Sequence, residues 1–122
     1  MSAHEMICHL GDSFLMMLGE RPVSDASGIF QRTLMKWIAL YVPIRWPPGI
    51  ATIPEVDQKL GGTKPGDFSR DVAQLEALLN RAATSPPQSF ARTHPIFGRM
   101  SAGAWFRWAY LHTDHHLRQF GA

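Results

Sequence analysis

His112 and His116 stand four residues apart in a segment whose apolar residues keep helical spacing. A helix advances about 100° per residue, so side chains at i and i+4 rise from one face a turn apart. Two imidazoles so placed can reach a single ion, and helical zinc sites use this spacing. With Arg107 as the origin of the wheel, Asp114 and Arg118 fall within about 20° of it and mark the wet side. Trp105, Ala109, His112 and His116 gather opposite. One histidine on an apolar face is most simply a core residue with a hydrogen-bond partner. Two stacked there weaken that reading, because each must find a partner or stay neutral. The pair is therefore read as ligands of a divalent metal, with merely buried histidines as the alternative.

A third ligand is needed, and His9 is the best candidate. On its own helix it has Glu5 and Asp12 within about 60°, at the margin of the apolar stripe. That position suits a ligand at the mouth of a cleft and an exposed histidine equally. His4-Glu5 followed by His9 imitates a zincin signature, but i and i+5 point to different sides, so His4 and His9 cannot share an ion through one face. Cys8 lies about 100° from His9 and is read as a buried, inert thiol. Glu5, Asp12 and His115 are the acid–base or supporting candidates, although a solvated surface position is the simpler reading of each. His94, before a proline, is expected to order the entry to the last helix, with a fourth-ligand role the lesser reading. Trp37, Trp46, Trp105 and Trp108 are expected in the core and pocket wall. Asp114 and Arg118, one turn apart, suit a surface ion pair of small value.

These residues need elements to hold them. Ser2 and Glu5 form a capping-box signature, and Ala3, Met6, Ile7, Leu10, Phe14, Met17 and Leu18 follow at helical spacing, so a helix is predicted over about 2–18, stopped by Gly19. Ile29, Phe30, Leu34, Trp37, Ile38 and Tyr41 predict a second helix over about 27–42, ended by Pro43. Residues 43–66 are dense in proline and glycine and are expected to be irregular; a connection this long is usually functional or a lid. Phe68, Val72, Leu75, Leu78, Leu79 and Ala82 predict a third helix over about 66–83. Ser101 caps a last one over about 102–119. No strand pattern is visible, so the expected fold is all-α, four helices in one domain spanning 1–122.

Composition agrees. Hydrophobic residues make up 45% of the 122 and charged residues 18%, an ordinary globular balance. A net charge of +2 without a basic run argues against nucleic acid as partner. The lone cysteine excludes an intrachain disulfide and suits a reducing cytoplasm. The chain shows no signal-peptide pattern and no apolar run of about 20 residues, so no membrane partner is expected.

The segment Met6 to Ser13, the stretch Trp46 to Asp57, the Gly61-Gly62-Thr63 turn, His94-Pro95-Ile96-Phe97-Gly98 and the ending Leu111 to Phe120 resemble the DinB/YfiT-like superfamily, in an uncharacterised branch of it. The resemblance covers nearly the whole chain. It implies a four-helix bundle with a metal held by one early histidine and an HxxxH pair on the last helix, which fall here on His9, His112 and His116. Better-known relatives include thiol S-transferases and a maleylpyruvate isomerase. Relatives in the branch carry a further helix ahead of the capping box, whereas Met1 stands directly at the cap. A late start or a truncation is expected, with an apolar groove left along the first helix and a homodimer as its outcome.

Three neutral imidazoles leave coordination positions open, as working rather than structural metals require. Zn, Ni, Fe and Mn all accept such ligands. The expected function is a divalent-metal-dependent enzyme on a small molecule, by thiol transfer or hydrolysis. The alternatives are a bundle that holds a metal or small ligand without turnover, and a structural or partner-docking bundle.

Overall fold

The computed structural model describes residues 1–49 and 52–122; Ile50 and Ala51, inside the Trp46 to Asp57 motif, lie outside the described residues. The fold is mostly helical. Its elements are α1 (Ala3–Met17), a wide π-helical turn (Gln31–Met35) running into the short α2 (Lys36–Tyr41), α3 (Phe68–Thr84), the two-residue strands β1 (Thr93–His94) and β2 (Gly98–Arg99), and α4 (Ala102–Gln119). Among the described residues no helix is long and apolar enough to cross a membrane.

Local sequence explains three of the helices. Ser2 Oγ accepts from the Glu5 amide, and Glu5 reaches back to the Ser2 amide, so two orphan N–H groups are satisfied at the start of α1. Gly19, at φ +74°, ends that helix: its N–H bonds the Met16 carbonyl and the Glu20 N–H bonds that of Leu15. Asp67 caps α3 and Ser101 caps α4, each accepting from the amide three residues on.

α1 packs along α3 and touches α4, and α2 also meets α4. Leu10, Phe14, Met17, Leu40, Leu75 and Trp105 belong to one connected apolar core. A groove of about 330 Å³ remains between α1, α3 and α4, with Leu79, Phe106, Tyr110 and Leu117 exposed along it.

The second helix departs from expectation. Of the predicted core stripe, Ile29, Phe30, Leu34, Trp37 and Tyr41 are exposed, while Ile38 is half-buried in the wall of a cavity. The opening π turn has a wider repeat than an α-helix, which rotates the residues after it. Leu40 is then the buried contact, with Met35 and Ala39 packed against the core. Trp37 is therefore a surface residue rather than core. The Arg107 side chain donates to the Leu40 carbonyl and lies over the Tyr41 ring, and Lys36 Nζ donates to the Arg99 carbonyl at 2.5 Å, so polar groups help hold this helix down.

The second departure is a strand pair. Thr93 pairs with Arg99 and His94 with Gly98, antiparallel. The hairpin is too short to show a period-two pattern, so alternation could not reveal it. Gly98, at φ +69°, closes it in a backbone region that L side chains avoid.

Among the described residues of 43–66 the connection is irregular apart from a 3₁₀ turn at Pro54–Val56, and its second half is firmly anchored. Asp12, buried on α1, accepts from Gln58 Nε2 (2.8 Å), the Thr63 amide (2.8 Å) and Thr63 Oγ1 (2.6 Å), and pairs with Arg21 at 3.2 Å. Arg21 in turn donates to the carbonyls of Glu55 and Gly61. Gly62 approaches the chain so closely that a Cβ there would stand 2.8 Å from the Asp57 carbonyl, which explains the glycine.

Candidate metal centre

α1 delivers His9, and α4 delivers His112 and His116 from consecutive turns of one face. His9 Nε2 lies 3.2 Å from His112 Nε2, and His116 Nε2 lies 3.2 Å from the same atom. All three ligand atoms fall within 4.8 Å of one another. The rings meet edge to face, with centroids 4.7 to 5.1 Å apart.

The outer nitrogens decide where the protons sit. His9 Nδ1 donates to the Val56 carbonyl at 2.8 Å, and His116 Nδ1 donates to Gln119 Oε1 at 3.0 Å. Both rings therefore keep a lone pair on Nε2, facing inward. His112 Nε2 can donate one proton to only one of these two neighbours, so a hydrogen-bonded triad leaves one inward lone pair unmatched. A cation satisfies all three. Nitrogens about 2.0–2.1 Å from a tetrahedral ion lie about 3.3 Å apart, close to the spacing of the two pairs that include His112. The donor set and its spacing thus fit a divalent ion.

Burial keeps these bases neutral. It lowers the His9 pKa below the ordinary imidazole value. It lowers that of His112 much further, with the neighbouring His9 and His116 rings adding to the effect. His116 is brought down to about 4, again mainly by burial. Neutral imidazole is the form that binds metal.

The other candidates separate clearly. His9 is buried, not marginal, because the Val56 segment folds over it. Asp12 is buried rather than solvated, and its acceptor capacity is spent on the loop anchor. Glu5 serves the cap. His115 is beside the cluster, stacked edge-on to His116 at 5.1 Å, and Gln119 Nε2 approaches it at 3.4 Å. Arg118 pairs with Asp114 at 2.7 Å on the surface, as its spacing suggested. Cys8 is buried, and its thiol is raised to about 11 by burial and then by Asp71.

His4, Cys8 and Asp71 form a second cluster within ligand distance. Here His4 Nε2 already bonds Asp71 Oδ2 at 2.7 Å, and the Gly66 amide bonds the same oxygen at 3.0 Å. Direct hydrogen bonds explain this group as a latch between α1 and α3.

A cavity of about 270 Å³ opens onto the three histidines. Trp108 stacks on His112 at 4.7 Å and 13°, and Trp46, tied by its indole N–H to the Ala39 carbonyl, covers the other approach. Trp105 is fully buried, its N–H on the Ala91 carbonyl. His94 lines the cavity but is not in the cluster.

Sequence reasoning missed Gln119 and the Val56 carbonyl. Gln119 was findable, since i and i+3 share a helix face with His116. A backbone carbonyl 47 residues from its partner leaves no sequence signal.

Fold and site together define a class: a mostly helical protein in which three imidazoles from the two ends of the chain converge beside a cavity. Residues 7–122 match the family model described as "Protein of unknown function (DUF1569)", and the chain belongs to that family. No curated protein and no solved structure matches it.

Proposed function

We propose that the protein is a DinB-like four-helix bundle, cytoplasmic, that binds one divalent metal through His9, His112 and His116 and acts on a small molecule by thiol transfer or hydrolysis. The observation carrying this reading is the convergence of three imidazoles, with His9 Nε2 and His116 Nε2 each 3.2 Å from His112 Nε2 and with their own Nδ1 protons committed to Val56 and Gln119. Outer hydrogen bonds of this kind orient metal-binding histidines and raise their basicity. Zinc, nickel, iron or manganese suits the ligand set. A divalent ion held there supplies Lewis acidity to an oxygen or sulfur donor of the substrate. The chain itself supplies the dry apolar wall from Trp46 and Trp108, and His115 beside the centre as a proton acceptor.

Absence of an acidic side chain from the cavity wall among the described residues favours a second reading, a bundle that holds metal or ligand without turnover. Self-association through the Phe106 and Tyr110 face is the partner reading, seen in light scattering as a mass that rises with concentration.

Metal analysis of the purified protein tests the centre. His9→Ala, His112→Ala and His116→Ala should each lose the metal. Gln119→Leu should keep the fold and bind about tenfold to a hundredfold more weakly. Unchanged metal content in the histidine variants would remove the reading. Assays of protein loaded with each metal, against panels of thiols, electrophiles and esters, separate enzyme from binder.

A further inference from the structure

The cavity beside the histidines has a one-sided charge pattern. Among the described residues, Arg45 is the only permanently charged one lining it, and no Asp or Glu does. Arg45 is exposed and makes no ion pair or hydrogen bond among the described residues. Most of the remaining wall is apolar, with Met16, Met35, Ile38, Phe97 and Trp108 among its members. A guanidinium beside such a low-dielectric wall attracts an anion more strongly than it would in open water.

His94, also in the wall, turns its polar edge away from the cavity space, so it leaves Arg45 as the charged contact. Its Nδ1 accepts from the amides of Ile96 (3.0 Å) and Phe97 (3.2 Å), so the ring proton sits on Nε2. That buried N–H has no acceptor among the described residues. His94 is 3% exposed and belongs to the cavity wall.

The size is restrictive. About 270 Å³ is slightly below the roughly 300–1,000 Å³ of ordinary small-molecule sites. A charged cofactor with several phosphates does not suit so apolar a wall.

We propose that this cavity takes a small organic carboxylate with an apolar body, its charged group held by Arg45 and its body lying against the apolar wall. The inference rests on the metal-centre reading for one point only, that the ligand's reacting end meets the three histidines. Carboxylate recognition by Arg45 does not need the metal.

Isothermal titration with hexanoate and phenylacetate, and with their neutral amides, tests the proposal on chelator-treated and on zinc-loaded protein. Both carboxylates should bind at least about tenfold more tightly than the matching amides in both preparations. Arg45→Gln should weaken the carboxylates about tenfold and leave the amides unchanged, as loss of a charge-assisted bond requires. Arg45 is exposed, so the variant should fold; its far-ultraviolet circular dichroism checks this. Equal binding of acid and amide, or no effect of Arg45→Gln, overturns the proposal whatever the metal content. Carboxylate preference in a protein that takes up no zinc on loading upholds the proposal and defeats the metal reading instead.

Discussion

Among the buried side chains, His94 has the clearest consequence for stability. Burial, with a smaller push from Lys36, brings its pKa down to about 3 in the folded chain, against 6.5 for the free side chain. Between those values the unfolded chain takes up a proton that the native site excludes. Stability therefore falls as pH drops through this window, by at most about 1.4 kcal/mol per pH unit for one such group. His94→Asn keeps an acceptor for the Ile96 and Phe97 amides and removes the titration. Urea unfolding of chelator-treated protein between pH 7 and 4 should show a shallower pH slope in the variant than in the parent. Equal slopes would mean that His94 takes up its proton as readily in the native state as in the unfolded chain.

At the level of elements, α1 does more than carry a ligand. Asp12 and Arg21 hold the segment from Glu55 to Thr63 over the helix, and that segment supplies the Val56 carbonyl that sets the His9 tautomer. Asp12→Ala removes the acceptor for three buried or half-buried donors and the partner of Arg21. It should cost about 3 kcal/mol in urea unfolding. Faster proteolysis within residues 57–63 and weaker metal binding should accompany it, since His9 loses its cover. The helices were largely readable because caps and periodicity are local: Ser2 and Ser101 each act within three residues, and the third helix shows in its apolar spacing, its Asp67 cap emerging only in the structure. In the second helix Ile29 and Phe30 are exposed ahead of the π turn and Trp37 and Tyr41 beyond it, because periodicity marks an apolar face without showing that another element covers it.

For the whole molecule, His9 and His112 lie 103 residues apart in sequence and touch in space. An ion bound by both ends of the chain stabilises only the folded state. Zinc at about 100 times its dissociation constant should add about 2.7 kcal/mol, raising the melting temperature by roughly 10 °C. Chelator should reverse the shift, and His112→Ala should show none. An unchanged melting temperature in the parent protein would argue that the imidazoles bind nothing tightly.

The residues of chain order 1 to 122 were enough to place His112 and His116 on one inward helical face and to nominate His9, because a 3.6-residue repeat is written in local spacing. Local spacing leaves open whether His9 faces a cleft or water, and it makes Asp12 a solvated surface residue, which it is not. Tertiary structure decided both, because burial depends on which distant segment covers a side chain. Here that segment is the proline-rich connection, whose Val56 carbonyl and Thr63 amide close over the first helix. The same holds for the cavity, its guanidinium and the unsatisfied His94 N–H, which exist only once distant segments are packed together.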